Sequence, residues 1–171
     1  MKTNQLFLKI GCLLILMSFL TDLNAQTPID FSGKWQYDRA NSDKDRFESE
    51  LDGTVILEIR QTSDSISFSE TYIYPDRPEW KTSADSYRFD GKEQITKSSV
   101  GTSKKSAKWS ADKKLLTITN IDTQTVKGVL QEFIIIDTYS LSADKKTINL
   151  ERYRKNYVTG ETKLKKIFTR K

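Results

Sequence analysis

The sequence predicts an all-β domain, an antiparallel up-and-down meander of eight to ten strands closing into a barrel, with a two-sheet β-sandwich as the alternative. Short runs alternate apolar and polar residues with a period of two, as in Ile66, Phe68, Glu70, Tyr72, which is the mark of strands with one buried face. Turn signals such as Asp64-Ser65, Asp90-Gly91, Gly101-Thr102 and Thr159-Gly160 separate these runs at short, regular intervals. Closure is the simplest way for such a meander to hide its sheet edges, which favours the barrel over the sandwich.

The length of 171 residues suits one domain behind an export signal. Lys2 and Lys9 flank a basic start, Ile10 to Leu20 is apolar apart from Gly11 and Ser18, and Leu23-Asn24-Ala25 offers a cleavage site with a small residue at the cut. Residues 1–25 therefore read as a signal peptide and 26–171 as the barrel domain, beginning at Gln26 and exported to the periplasm or the medium. The apolar run is shorter than the roughly 20 residues a spanning helix needs. Cys12, the only cysteine, lies inside that run with Lys9 three places before it, so neither lipidation nor a disulfide is expected. Without Lys2, Lys9 and Asp22 the net charge of +5 becomes +4, from 26 basic and 22 acidic residues. The densest basic stretch, Lys163 to Lys171, fits a solvated strand face, and nucleic acid is not an expected partner.

The domain opens with FSGKWQYDRANS, residues 31–42. Phe31, Gly33, Trp35 and Tyr37 share one strand face, where Gly33 leaves room for a close backbone approach and Trp35 covers one end of a core. The G-x-W pattern followed by a short turn through Asp38, Ala40, Asn41 and Ser42 resembles the lipocalin and calycin group, and more closely the lipocalin-like barrels of secreted bacterial proteins. In that family a basic residue on the final strand packs over the first-strand tryptophan. The resemblance implies that role for Arg170, with Lys166 as the substitute, and makes Gly33, Trp35 and Arg170 the structural set.

Asn41 to Asp52 is polar and reads as a loop or lid, with Phe47 and Leu51 spaced for one helical turn. A hairpin follows, Thr54 to Thr62 and Ile66 to Tyr74, ended by the rigid stretch Pro75 to Pro78. Short strands are expected at Ser86–Phe89, Glu93–Val100 and Lys104–Ser110, with Asp90-Gly91 the strongest tight-turn signal in the chain. Residues 108–119 and 139–150 share Ser-Ala-Asp-Lys-Lys between an aromatic and an apolar strand, so each is read as a hairpin in which Asp112 or Asp144 accepts backbone amides. The last strands are Val126 to Leu141, bent or broken near Asp137, then Thr147 to Tyr157 and Thr162 to Arg170.

With no histidine anywhere and no cysteine after cleavage, the usual nucleophilic triads and zinc sets are excluded. Asp38, Asp43 and Asp45 lack the spacing of a calcium loop. Paired carboxylates such as Glu70 with Glu132 or Asp137 remain the one catalytic pattern, and the chain reads as non-enzymatic, without cofactor or metal. The informative polar residues are those in register with apolar ones: Glu70 on its strand, Arg152 and Arg154 with Leu150, and Lys166 with Leu164 and Phe168. They pair internally, Glu70 with a cation, or hold the anionic head of a ligand whose apolar part lies on Phe68, Tyr72, Phe133 and Ile135. The expected function is a binding protein, a monomer that does not span a membrane and holds a small apolar or amphipathic ligand, neutral or anionic, in its barrel. The alternative is a protein-interaction module, such as a protease inhibitor or envelope scaffold, working through loops 41–52 and 74–80, with Trp80 and Tyr74 as anchors.

Overall fold

The computed structural model describes residues 27–45, 53–157 and 160–171. The export signal and the expected helical turn between Phe47 and Leu51 fall outside these residues. Eleven antiparallel strands make up the fold: β1 (Gly33–Tyr37), β2 (Thr54–Gln61), β3 (Ser65–Ile73), β4 (Trp80–Lys81), β5 (Asp85–Arg88), β6 (Gln94–Lys97), β7 (Gly101–Trp109), β8 (Leu116–Val126), β9 (Val129–Leu141), β10 (Thr147–Asn156) and β11 (Gly160–Arg170). They form one sheet in the order β4-β3-β2-β1-β11-β10-β9-β8-β7-β6, and β5 also pairs with β3. Because β4 and β5 run along the same edge of β3, the path is a ten-strand meander, and one continuous sheet replaces the sandwich alternative. Among the described residues, no helix is long and apolar enough to cross a membrane.

First and last strands are neighbours, Trp35 opposite Arg170 and Tyr37 opposite Phe168. The alternating apolar set of each strand meets on one face. Phe31, Trp35, Ile59, Ile66, Leu116 and Ile148 are almost fully buried at the end where these strands converge. The Trp35 indole N–H donates to the Phe31 carbonyl at 2.9 Å, so the ring is buried with its polar atom satisfied. Gly33 has a φ of +139°, a backbone that side-chain-bearing residues rarely adopt, and a Cβ there would meet the Arg170 guanidinium at 3.4 Å.

Both Ser-Ala-Asp-Lys-Lys segments form the hairpins expected of them. In each, the aspartate accepts from its serine hydroxyl at 2.6 Å and from the second lysine's backbone N–H, at 3.2 Å from Lys114 and 3.1 Å from Lys146. Two expectations are corrected, and one turn joins strands that are not partners. The stretch from Val126 is not one strand start: Lys127 and Gly128, both at positive φ, turn the chain between β8 and β9. Strand β9 runs unbroken through Asp137, whose carboxylate points inward. Asp90-Gly91 joins β5 to β6 without making them partners, since β5 pairs with β3 and β6 with β7. That link marks a seam across which side chains, not a backbone ladder, close the barrel: Lys105 pairs with Asp85, and the Tyr87 hydroxyl bonds Asn120 at 3.1 Å.

Candidate functional site

All eight residues expected to line a site fall on the concave face. Residues opposite one another in an antiparallel pair point to the same side, and the register runs Glu70–Leu57–Trp35 on one wall and Lys166–Leu150–Tyr139 on the other. Arg152 lies opposite both Asp137 and Leu164, and Arg154 opposite Ile135 and Thr162, so the cations are carried by the same inner rows as the apolar core.

The fold divides the eight. Glu70, Tyr72, Arg152 and Lys166 line one enclosed space with Tyr37, Leu150 and Tyr139, and Phe68 packs beside it on Tyr139 at 5.1 Å between ring centres. That space holds about 20 Å³, room for a single water. Phe133 and Ile135 lie further up the wall, in an open concavity of about 470 Å³ shared with Thr96, Ser103, Asp122 and Gln124. Arg154 stands between the two, level with Ile135. The lower barrel is therefore filled by its own side chains, and ligand-sized room lies at the mouth.

The inner charges are paired, but not as the sequence suggested. Glu70 accepts from the neighbouring Tyr72 hydroxyl rather than from a cation. Asp137 takes Arg152 bidentately, both contacts at 2.7 Å, with the carboxylate side chain 6% and the arginine 19% exposed. Burial opposes the Arg152 charge, and the Asp137 carboxylate outweighs it, holding the guanidinium protonated above the ordinary arginine range. Asp45 accepts from Arg154 at 3.2 Å and approaches the Lys166 ammonium at 3.7 Å, with the side chains of Asp45 and Lys166 almost completely buried. Burial, followed by the Asp137 charge, pushes the Tyr139 phenol well above its usual range.

Asp45 reaches this place by a short piece of irregular chain. After β1 a single 3-10 turn, Arg39–Asn41, is capped by the Asp38 carboxylate, and residues 42–45 then rejoin β11. There the Ser42 hydroxyl accepts the Ile167 amide at 2.8 Å and the Asp43 carboxylate the Lys165 amide at 2.6 Å. Asp45 and Asp137 are the residues that sequence reasoning missed. The signal for Asp137 was its register with Ile135 and Tyr139; for Asp45 the local sequence holds none. Register separates Glu70 from Glu132, which is exposed on the outer face, while Asp137 shares the inner face with Glu70 and is held by Arg152.

Gly33, Trp35 and Arg170 lie together. The Arg170 guanidinium carbon lies 5.1 Å from the Trp35 ring centre, and its terminal nitrogen reaches the Ser32 carbonyl at 3.4 Å. Lys166 takes no part, being turned to Asp45. At the rim, Trp80 is 57% exposed and stacks on Tyr72 at 4.9 Å, and Arg77 lies 3.7 Å from the Tyr74 ring centre.

No family model and no curated protein matches the chain. Among solved structures, the zebrafish ileal bile acid-binding protein in complex with cholic acid is similar over 82% of this chain and 98% of its own, at 16% identity and a TM-score of 0.39.

Proposed function

We propose that the exported domain binds a small anionic amphiphile at the mouth of its barrel, the head against Arg154 and the apolar part along Ile135 and Phe133. The observation that supports this reading most is the placement of Arg152, Arg154 and Lys166 on the inner wall, with Arg154 level with Ile135, which lines an open concavity of about 470 Å³, within the size range of ligand pockets. Buried ion pairs stabilise a fold no better than apolar residues of the same volume, so three cations and two carboxylates in a barrel wall point to a role beyond stability. The carboxylate of Asp122, directly opposite Phe133 on the neighbouring strand, favours an anionic head near Arg154 rather than further out. Glu70, Tyr72, Phe68, Arg152 and Lys166 form the floor beneath. The G-x-W resemblance to lipocalin-like barrels agrees with this reading, as does a non-enzymatic role.

Calorimetric titration with laurate, dodecanol and dodecylamine tests it on the mature chain. Laurate should bind best, and Arg154→Gln and Phe133→Ala should each weaken it by about tenfold, the loss expected for one charged hydrogen bond or one buried ring. Equal affinity for the amine, or no binding of any of the three, overturns the proposal. Export with cleavage after Ala25 is proposed on the sequence alone, and the intact mass of secreted protein decides it. A second reading, partner binding through residues 74–80, draws on the exposed Trp80; capture of a partner that survives Trp80→Ala discounts it.

A further inference from the structure

Exposed large apolar side chains gather at one end of the molecule. Val100 (68%), Val129 (62%), Leu130 (72%) and Tyr157 (58%) sit on the tips of three neighbouring hairpins, β6–β7, β8–β9 and β10–β11. The tips are in contact: Thr125 donates to the Val100 carbonyl, and Tyr157 meets Phe133 edge-on at 5.3 Å between ring centres. The middle hairpin runs on from the pair Gln124–Gln131, level with Gly101, to Val126–Val129. Val100 reaches the level of Thr125, so the middle hairpin carries its last pair and its turn, Lys127-Gly128, at least one residue, about 3 Å, beyond its neighbour. Lys97 and Lys127 are exposed at this apolar fringe and Lys104 is exposed three residues further down β7, against the carboxylates Asp122 and Glu132, while Lys155 and Glu161 pair with each other.

We propose that this end docks on an anionic lipid surface, Val129, Leu130, Val100 and Tyr157 entering the headgroup boundary while Lys97, Lys104 and Lys127 face the lipid charge. Narrow protruding tips bury little area against a flat protein face, but a fluid interface closes round them completely. Three lysines at a negative surface each add attraction, which the two carboxylates only partly offset. The docked end is also the end where the concavity of Phe133 and Ile135 opens, so an amphiphile would pass between bilayer and barrel without crossing water.

Cosedimentation of the mature protein with vesicles of phosphatidylcholine plus phosphatidylglycerol tests the proposal, with pure phosphatidylcholine vesicles alongside. Binding should require the anionic lipid. It should fall about tenfold in Leu130→Glu, because an apolar side chain that entered the lipid is replaced by a charge the surface repels, and severalfold in Lys127→Glu. Both positions lie at exposed tips, so an unchanged melting temperature shows that the fold survives. No sedimentation, or sedimentation undiminished in Leu130→Glu, overturns the proposal. So does a wild-type dimer that Leu130→Glu dissolves without any vesicle binding, since copies of the chain then cover the tips. The vesicles carry no free fatty acid, so failure here leaves laurate binding in solution untouched, and the reverse holds.

Discussion

The two ends of the barrel solve the same packing problem with opposite chemistry. At the closed end Phe31, Trp35, Ile59 and Ile148 fill the space, the indole N–H bonds a carbonyl, and Arg170 lies over the ring. Midway up, Asp137, Arg152, Arg154 and Lys166 occupy positions of the same inner rows, Asp45 reaches in from the segment after β1, and charge pairing takes the place of apolar contact. An apolar end costs nothing to keep dry, whereas each inner charge has lost water and depends on its partner. The first arrangement joins the first and last strands; the second keeps paired charge on the inner wall below the mouth.

The largest effects should come from the closed end. Trp35→Ala should cost about 3–5 kcal/mol in denaturant unfolding, because a fully buried ring leaves a cavity that the surrounding strands cannot collapse into. Asp137→Ala should cost nearly as much, about 3–5 kcal/mol, since it leaves the Arg152 guanidinium buried without its carboxylate. The double change Asp137→Leu with Arg152→Leu should recover most of that loss. A double variant as unstable as Asp137→Ala would mean that the pair shapes the wall rather than merely satisfying itself.

Arg170→Ala should be milder, about 0.5–2 kcal/mol, and should couple to Trp35→Ala in a double-mutant cycle. Strict additivity would mean that the stack contributes nothing to closure. The smallest effect is alkaline. Tyr139 stays neutral in the fold because burial and the Asp137 charge raise its pKa, while the unfolded chain ionises near pH 10. Its stabilising contribution is therefore whole below about pH 10 and declines as pH climbs beyond it. Melting temperatures should fall more steeply above that pH in the wild type than in Tyr139→Phe, and parallel profiles would contradict this.

What the sequence made legible is local. Alternation on β3, β10 and β11 put Glu70, Arg152, Arg154 and Lys166 on the inner face, and the G-x-W pattern with the chain's last arginine anticipated the Trp35–Arg170 contact. Partnership is a different matter, because which strands face one another is set across the whole chain. Glu70 was matched with a cation that Asp137 holds, and Asp45 is supplied by an irregular segment with no periodicity to read. At Asp90-Gly91 the turn chemistry is there, with the Asp90 carboxylate accepting the Lys92 amide, but which neighbours the joined strands face is again set by the rest of the chain.

The inner cations as a seat for a ligand's anionic head can be tested most directly by NMR of laurate labelled with ¹³C at its carboxyl carbon and bound to the mature protein. Beside Arg154 and Lys166 the bound carboxylate should stay ionised to lower pH than laurate in solution, because nearby positive charge favours the charged form. Arg154→Gln should move that titration back up. A bound carboxyl that titrates as it does in solvent, unaffected by Arg154→Gln, would place the head outside the barrel and contradict the account.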